Sequence, residues 1–135
     1  MTPSTPRGPR ISHIGIAVRA LAESVPFFRD VLDLKEVALD DSDGATIVGF
    51  SAGDSLVELL EASTTGSPIA RFVEKRGPGI HHICFAVDDL DETLDRCRAA
   101  GVQLIDEKPR VGADGKRIAF IHPRSTGGVL VELSD

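Results

Sequence analysis

The sequence predicts an α+β protein in which two copies of one strand–helix–three-strand unit form a single curved mixed sheet. The first observation is a repeated strand: SHIGIAV at 12–18 and HHICFAV at 81–87 share one alternating pattern, each with a histidine near its start. The second is length, since 135 residues is the usual size of one domain. A unit of about 55 residues buries its own sheet face poorly, so we expect the two units to pack together.

Module one is predicted over residues 11–62. Residues 11–18 alternate and are rich in Ile and Val, which is typical of a strand. Residues 21–33 have apolar side chains at helical spacing, and Pro26 is expected in the first turn, where proline is tolerated. Short strands are then predicted at 35–40, 45–51 and 55–61, separated by the turns DDSDG and SAGD.

Module two, residues 80–134, follows a linking helix over 67–76 that begins with Ser67 as its cap and Pro68 at its first position. Its predicted elements are a strand at 80–87, a helix at 90–100 and strands at 103–106, 117–122 and 128–133. An offset of 69 residues aligns HIGIAV with HICFAV, and the helices that follow align as well. We therefore interpret the chain as an internal duplication.

Composition and charge exclude several classes of partner. A formal net charge of −6 without a basic cluster argues against nucleic acid and membrane surfaces. No apolar run approaches the roughly 20 residues of a membrane span. Residues 1–10 lack the apolar stretch of a signal peptide and are expected to form a mobile tail before a single domain at 11–135. Cys84 and Cys97 have no CxxC spacing, so we expect free thiols and a cytoplasmic protein.

The first strand of each module has a face of small residues beside its histidine. Because side chains alternate across a strand, His13, Gly15 and Ala17 share one face. The corresponding face in module two consists of His82, Cys84 and Ala86. The opposite, larger apolar face is expected to pack on the helices. This leaves space beside the histidines for something other than a side chain.

The last strand of each module adds a glutamate to this face. Glu58 lies between Val57 and Leu59, and Glu132 follows the same pattern in VLVELS, whose Val129, Val131 and Leu133 are expected to face the helices. Two histidines and two carboxylates that converge in a cavity are typical ligands of a divalent metal. We predict a site formed by His13, Glu58, His82 and Glu132, with two coordination positions open for substrate. The alternative is that each of these side chains faces solvent, but the matched repetition argues against it.

Three further residues are expected outside the ligand set. His81 should point to the face opposite His82 and have a structural role, because neighbours in a strand alternate. His122 precedes Pro123 at a strand end and is interpreted as a loop residue, with a place in the lining of the site as the alternative. Cys84 either lines the cavity or is a small packing residue.

Five runs of the sequence resemble one enzyme family. They are HIGIAV, the strand ELLE at 58–61, SPIARFVEKRGPGIHHICFAVDDL, LIDEKPRVGADGKRIAFIHP and STGGVLVEL. Together they closely resemble the methylmalonyl-CoA epimerases of the vicinal oxygen chelate superfamily, which have the glyoxalase I fold. The resemblance covers residues 11–134.

The resemblance implies tandem βαβββ modules, a homodimer and an isomerase that interconverts the (2R) and (2S) forms of methylmalonyl-CoA in propionyl-CoA metabolism. It implies a divalent ion, most often cobalt, with zinc, nickel and manganese as alternatives. By matching position, the family's metal ligands fall on His13, Glu58, His82 and Glu132. We expect Glu132 to be one catalytic acid–base group and Glu58 to be a candidate for the other. The implied partner is an acyl-CoA substrate. Candidate contacts for its phosphates are Arg71, Lys75, Lys116 and Arg117, and the alternative, which we favour for each, is a solvated surface charge.

One departure from the family concerns the acid–base scheme. Certain bacterial members have a further catalytic glutamate in the third strand of module one, where this chain has Ile47. The second acid or base therefore stays open between Glu58, a water and another residue. The acyl group is open as well, since ethylmalonyl-CoA differs by one methylene, which a pocket discriminates weakly.

Alternative functions share this fold. A glyoxalase I-type lactoylglutathione lyase can use the same two histidines and two glutamates, whereas an extradiol dioxygenase needs two histidines and one carboxylate on iron. A non-enzymatic small-molecule-binding protein of the fold typically lacks the metal ligands and holds flat ligands with aromatic side chains. This chain has no Trp or Tyr, which argues against the binding protein.

Overall fold

Eight strands form one curved sheet in the computed structural model, which describes residues 7–135. Module one contributes β1 (Arg10–Val18), β2 (Lys35–Val37), β3 (Ala45–Ala52) and β4 (Ser55–Ala62). Module two contributes β5 (Gly79–Ala86), β6 (Arg110–Val111), β7 (Arg117–Ile121) and β8 (Val131–Ser134). The spatial order is β2-β3-β4-β1-β5-β8-β7-β6, so each module forms one half of the sheet.

The two halves have the same internal pairing. β1 runs parallel to β4, and β5 runs parallel to β8. The other neighbours are antiparallel, including the central pair β1 and β5 that joins the modules. The predicted α+β fold class, with its curved mixed sheet, is confirmed.

Three α-helices accompany the described sheet: α1 (Leu21–Pro26), α2 (Pro68–Arg76) and α3 (Leu90–Ala99). A π-helical turn (Phe27–Val31) continues α1, and a 3-10 turn spans Pro123–Ser125. Ser67 Oγ accepts a hydrogen bond from the N–H of Ala70 at the start of α2, as its predicted capping role requires. No helix in the described part of the chain has the length and apolar character to cross a membrane.

The helices cover the sheet with three apolar clusters. Under module one, Leu21 and Val25 of α1 pack near Leu59. Under module two, Leu90 and Leu94 of α3 pack with strand residues Ala119, Ile121 and Leu133. The third cluster lies where α2 meets the sheet and contains Ala17, Ala45, Ile47, Leu60 and Ile69. As predicted, the large apolar residues of the first and last strands of each module pack against α1 and α3, which leaves the other face for the polar site.

Pro26 lies at the end of α1 and not in its first turn, so that prediction was wrong. Ala20 makes no capping hydrogen bond at the start of α1, and the Glu61 carboxylate of β4 accepts the N–H of Leu21 at 2.7 Å instead. A proline this far into a helix has no N–H for the α-helical ladder and crowds the preceding turn. The chain therefore continues as a π-helical turn, in which the N–H of Leu32 donates to the carbonyl of Phe27 at 3.0 Å.

Two details of module two also differ from the prediction. Residues 103–106 do not form a strand: Leu104 makes one isolated bridge to Ile121, and the Asp106 carboxylate accepts the N–H of Phe120. The outer strand forms instead at Arg110–Val111. Val129 precedes β8 and is 43% exposed, so it does not face α3.

The predicted tail, residues 1–10, falls partly outside the described residues, which begin at Arg7. The backbone N–H groups of Arg7 and Gly8 donate to the Asp88 carboxylate at 3.1 Å and 2.9 Å. Arg10 already belongs to β1, so the first strand begins one residue earlier than predicted.

Candidate metal and substrate site

The structure brings the four predicted ligand residues together on the sheet face opposite α1 and α3. They stand on the four central strands β1, β4, β5 and β8 and are buried, at 4–6% exposure: His13, Glu58, His82 and Glu132. The alternative that these side chains face solvent was therefore wrong. Alternation along each strand, together with the pairing of β1 with β5, directs all four side chains to one place.

His13 lies at the centre of this cluster. Its Nε2 is 3.0 Å from Glu132 Oε1 and 3.1 Å from His82 Nε2. Its Nδ1 is 3.3 Å from Glu58 Oε2, so the two glutamates contact opposite sides of the imidazole. His82 Nε2 is also 3.2 Å from Glu132 Oε1. The two imidazoles and two carboxylates thus converge on one small volume.

The donor atoms fit a divalent cation. One ligand atom each from His13, Glu58 and His82 lie within 4.8 Å of one another, and so do atoms of His13, Cys84 and Glu132. Imidazole nitrogen and carboxylate oxygen suit first-row divalent ions, and two carboxylate charges balance the ion. The chain therefore has a candidate metal site built by both modules.

The electrostatics of the cluster also favour a bound positive charge. Burial disfavours the charged form of His13, but hydrogen bonds with Cys84 and Glu132 and the charge of Glu58 raise its imidazole pKa to about 10. Burial alone would raise the pKa of Glu132, but hydrogen bonds from His13 and His82 outweigh this effect and lower the pKa to about 2. Burial raises the pKa of Glu58, which His13 only partly offsets. Without a metal, the proton on His13 is the positive charge that the carboxylates hold.

Gly15 provides the space for the His82 ring. Gly15 pairs with His82 across β1 and β5, and a Cβ on Gly15 would lie 2.2 Å from Cε1 of the His82 ring. The small residue at this position was predicted to leave room for something other than a side chain. The space is occupied instead by the imidazole of the partner module.

β-bulges turn the residue before each ligand histidine towards the site. The pairing of β1 with β5 skips Ser12, between Ile11 and His13, and it skips His81 next to His82. His81 Nδ1 consequently lies 2.9 Å from His82 Nδ1, and His81 borders the cavity. The prediction that His81 faces away was wrong, because an extra residue in a bulge breaks strict alternation. Burial and the charge of His82 lower the pKa of His81 to about 4.

A cavity of about 320 Å³ opens beside the ligand residues. Its apolar wall includes Ile47, Leu60, Ile69, Ile118 and Phe120. At its edge, Arg110 of module two makes a bidentate ion pair with Asp43 of module one, at 3.0 Å and 3.1 Å. The two modules thus line one cavity, whose apolar wall lies next to the four candidate ligands.

The remaining predicted candidates divide between the cavity and the outer surface. Arg71 borders the cavity, whereas Lys75, Lys116 and Arg117 are not part of its lining. Arg117 instead pairs with the carboxylates of Asp135 and Asp91. His122 lies at the 3-10 turn, where its Nδ1 accepts the N–H of Arg124, as expected for a loop residue. Cys84 is fully buried beside His13, within the ligand cluster.

Comparison with known proteins identifies the family. Residues 10–133 match the Glyoxalase/Bleomycin resistance protein/Dioxygenase superfamily. The ethylmalonyl-CoA/methylmalonyl-CoA epimerase of Cereibacter sphaeroides is 38% identical over 128 residues, which are 92% of this chain and 96% of that protein. The chain belongs to the methylmalonyl-CoA epimerase family of this superfamily. The predicted resemblance is confirmed.

Solved structures of methylmalonyl-CoA epimerases have the same fold. The enzyme from Mycobacterium tuberculosis is 34% identical with a TM-score of 0.88, over 99% of this chain and 91% of that chain. A methylmalonyl-CoA epimerase in complex with methylmalonyl-CoA and NH4+ is 32% identical with a TM-score of 0.89, over 94% of each chain. Membership of this family also confirms the predicted enzyme class, an isomerase.

Proposed function

We propose that this protein is a metal-dependent epimerase that interconverts the (2R) and (2S) forms of methylmalonyl-CoA by removing and returning the proton at C2. The observation that carries the proposal is the convergence of four buried ligand side chains from both modules beside one cavity of about 320 Å³. The epimerase relatives, one of them in complex with methylmalonyl-CoA, support this choice of substrate.

The proposed reaction begins at an acidic carbon. C2 of methylmalonyl-CoA lies between a thioester carbonyl and a carboxylate, so loss of its proton gives an enolate. A divalent ion held by His13, Glu58, His82 and Glu132, for which we propose cobalt with zinc, nickel or manganese as alternatives, supplies Lewis-acid stabilisation of that enolate. The apolar wall of the cavity excludes water, which strengthens the electrostatic interactions inside it.

Inversion at C2 requires one group to remove a proton and a second group to return one to the opposite face. We assign these roles to Glu132 and Glu58. Support comes from their placement, because Glu132 contacts His13 at Nε2 and Glu58 contacts it at Nδ1, on the other side of the ring. Ile47, which occupies the position of the family's further glutamate, lines the cavity but has no group that transfers protons.

We further propose that the enzyme is a cytoplasmic homodimer in propionyl-CoA metabolism, with an acyl-CoA as its partner and neither nucleic acid nor membrane. The net charge of −6 supports the exclusion of polyanionic partners. A bound cation and Arg71 at the cavity edge give the anionic acyl group local positive charge in an otherwise acidic protein. The epimerase relatives favour this assignment over a lactoylglutathione lyase or a non-enzymatic binding protein.

Proton NMR of methylmalonyl-CoA in D2O tests the proposed function. With catalytic amounts of cobalt-loaded protein, the C2 proton signal should disappear while the thioester stays intact. Chelator-treated protein should leave the signal, and re-addition of cobalt should restore exchange. Persistent C2 signal with metal bound would contradict the proposal, and turnover of methylglyoxal with glutathione under the same conditions would favour the lyase.

A further inference from the structure

We propose that His81 is a positioning residue that fixes the tautomer of His82, so that the Nε2 lone pair of His82 faces the metal site. The carrying observation is the 2.9 Å contact between His81 Nδ1 and His82 Nδ1. Two ring nitrogens at this distance share one proton, because two N–H groups would repel and two lone pairs would form no hydrogen bond.

The direction of this hydrogen bond follows from the other end of the His82 ring. His82 Nε2 faces Glu132 Oε1 at 3.2 Å and His13 Nε2 at 3.1 Å, so it is the nitrogen directed into the ligand cluster. A ligand nitrogen must offer a lone pair, so a bound metal replaces the proton that Nε2 shares with Glu132, and the ring proton then lies on Nδ1. His81 Nδ1 then accepts that proton, and a hydrogen bond of this kind orients a ligand imidazole and raises its basicity.

His81 is itself held in place by a contact with the linking helix α2. Its ring meets the ring of Phe72 on α2 edge to face, at 5.1 Å between centroids and 83° between planes. The guanidinium of Arg76 lies 5.8 Å from the centre of the Phe72 ring on the same helix. The linking helix between the modules therefore fixes the acceptor that orients a ligand of module two.

The duplication supplies an independent observation for this role. Ser12 occupies the position in module one that His81 occupies in module two, and Ser12 Oγ lies 3.3 Å from His13 Nδ1. Both residues are the ones skipped by the pairing of β1 with β5. In each module, a bulge thus brings the side chain of the preceding residue into contact with Nδ1 of the histidine that follows it.

The experiment measures zinc affinity by competition with a chromogenic chelator at fixed pH. In His81→Phe, an aromatic ring still packs on Phe72 but the acceptor is lost, and affinity should fall about 10- to 100-fold. In His81→Asn, the amide oxygen takes the place of Nδ1, and affinity should stay within about threefold of the wild type. His122→Phe is the matched control, since His122 lies outside the cluster, and its affinity should equal that of the wild type.

Each outcome decides the proposal, which rests on the metal site of the proposed function. Equal affinities in all four proteins, or equal losses in His81→Phe and His81→Asn, would overturn the role of His81. Failure of the wild type to bind zinc would instead overturn the metal site itself. Should His81→Phe not fold, 15N spectra of the zinc-loaded wild type give the same decision: a His82 proton on Nδ1 is expected, and one on Nε2 would contradict the proposal.

Discussion

The two modules present the same residue types at matched positions, yet their ligands have different surroundings. In module two, His82 has an imidazole against its Nδ1, while in module one the Nδ1 of His13 is near both Ser12 Oγ and Glu58. Glu132 contacts both histidines, whereas Glu58 contacts only His13. Duplication therefore accounts for the matched set of candidate ligands, and the residues that differ around them account for their different surroundings.

The difference is largest for the two glutamates. Burial works to raise the pKa of both carboxyls, but the hydrogen bonds from two histidines lower that of Glu132 to about 2, while the pKa of Glu58 remains raised. Two carboxylates whose environments move their pKa values in opposite directions are typical of sites where one group acts as base and another as acid. Glu58 and Glu132 thus occupy matched strands, yet their carboxyl pKa values are shifted in opposite directions.

The largest expected effect on the packing between the modules comes from filling the space that Gly15 leaves for the His82 ring. In Gly15→Ala, the new methyl group would collide with the His82 ring at 2.2 Å, so the ring must leave its position in the cluster. Zinc affinity should fall about 10- to 100-fold, as overpacking costs about 1–3 kcal/mol. Isothermal titration calorimetry measures this loss.

Gly79→Ala is the matched control for this substitution. Gly79 belongs to β5, and a Cβ placed on it meets no atom within 4 Å. Its zinc affinity should equal that of the wild type. Unchanged affinity in Gly15→Ala would show that His82 is not held where the modules meet.

The raised pKa of His13 predicts how the free energy of unfolding of the metal-free protein depends on pH. The pKa of His13 is about 10 in the folded protein and 6.5 as its ordinary value, so its stabilisation is complete below pH 6.5 and is lost as the pH rises to about 10. The free energy of unfolding should fall by on the order of a few kcal/mol over that range. Urea unfolding of chelator-treated protein at several pH values measures the slope.

The zinc-loaded protein serves as the control for this slope. Metal replaces the proton on His13, so binding tightens as the pH rises and the stability should change in the opposite direction. A metal-free protein whose stability stays constant from pH 6.5 to 10 would contradict the charge assigned to His13.

The convergence of the four candidate ligands could be predicted from the sequence because it depends only on periodicity and repetition. His13 and His82, like Glu58 and Glu132, occur at matched places in strands whose apolar residues alternate, and alternation places them on one face. The same rule failed at His81. A bulge is set by how two distant strands pair, and the sequence around His81 carries no separate signal for it.

The local departures have similar causes. Pro26 was assigned to a first turn because proline is tolerated there, but α1 begins at Leu21, where the Glu61 carboxylate of β4 accepts the backbone N–H. The strand predicted at 103–106 has suitable residues, yet the Asp106 carboxylate accepts a hydrogen bond from the N–H of Phe120 in β7. The strand that pairs with the outer edge of β7 is instead Arg110–Val111. In each case a tertiary contact outweighed a local preference.

A smaller effect is expected from the bulge residue of module one. Ser12→Ala removes the Oγ contact at His13 Nδ1, but Glu58 Oε2 remains 3.3 Å from the same nitrogen. Zinc affinity should therefore fall by about threefold, less than for His81→Phe, because a single neutral hydrogen bond contributes about 1 kcal/mol or less. Chelator competition under identical conditions ranks the two variants, and a larger loss for Ser12→Ala would reverse the comparison of the modules.

The smallest effect should come from the ion pair that joins the modules at the cavity edge. Asp43→Asn removes one partner of Arg110 but keeps a side chain suited to the positive φ of 51° at this position. Both side chains are at least 38% exposed, so the free energy of unfolding should fall by less than about 1 kcal/mol. Urea unfolding measures it, with Asp95→Asn, which breaks the Asp95–Arg98 pair within α3, as control. A loss of several kcal/mol would show that this pair holds the modules together.

The most direct test of the account follows C2 proton exchange in D2O from each pure epimer of methylmalonyl-CoA with Glu132→Gln and Glu58→Gln. Metal content is measured in parallel, so that loss of the ion is distinguished from loss of a base. If each module supplies the carboxylate for one face of C2, each metal-loaded variant should slow exchange from one epimer by about 10²- to 10⁴-fold and leave exchange from the other epimer. Exchange of both epimers at the wild-type rate in either variant, or loss of both in one variant with its metal bound, would contradict the account.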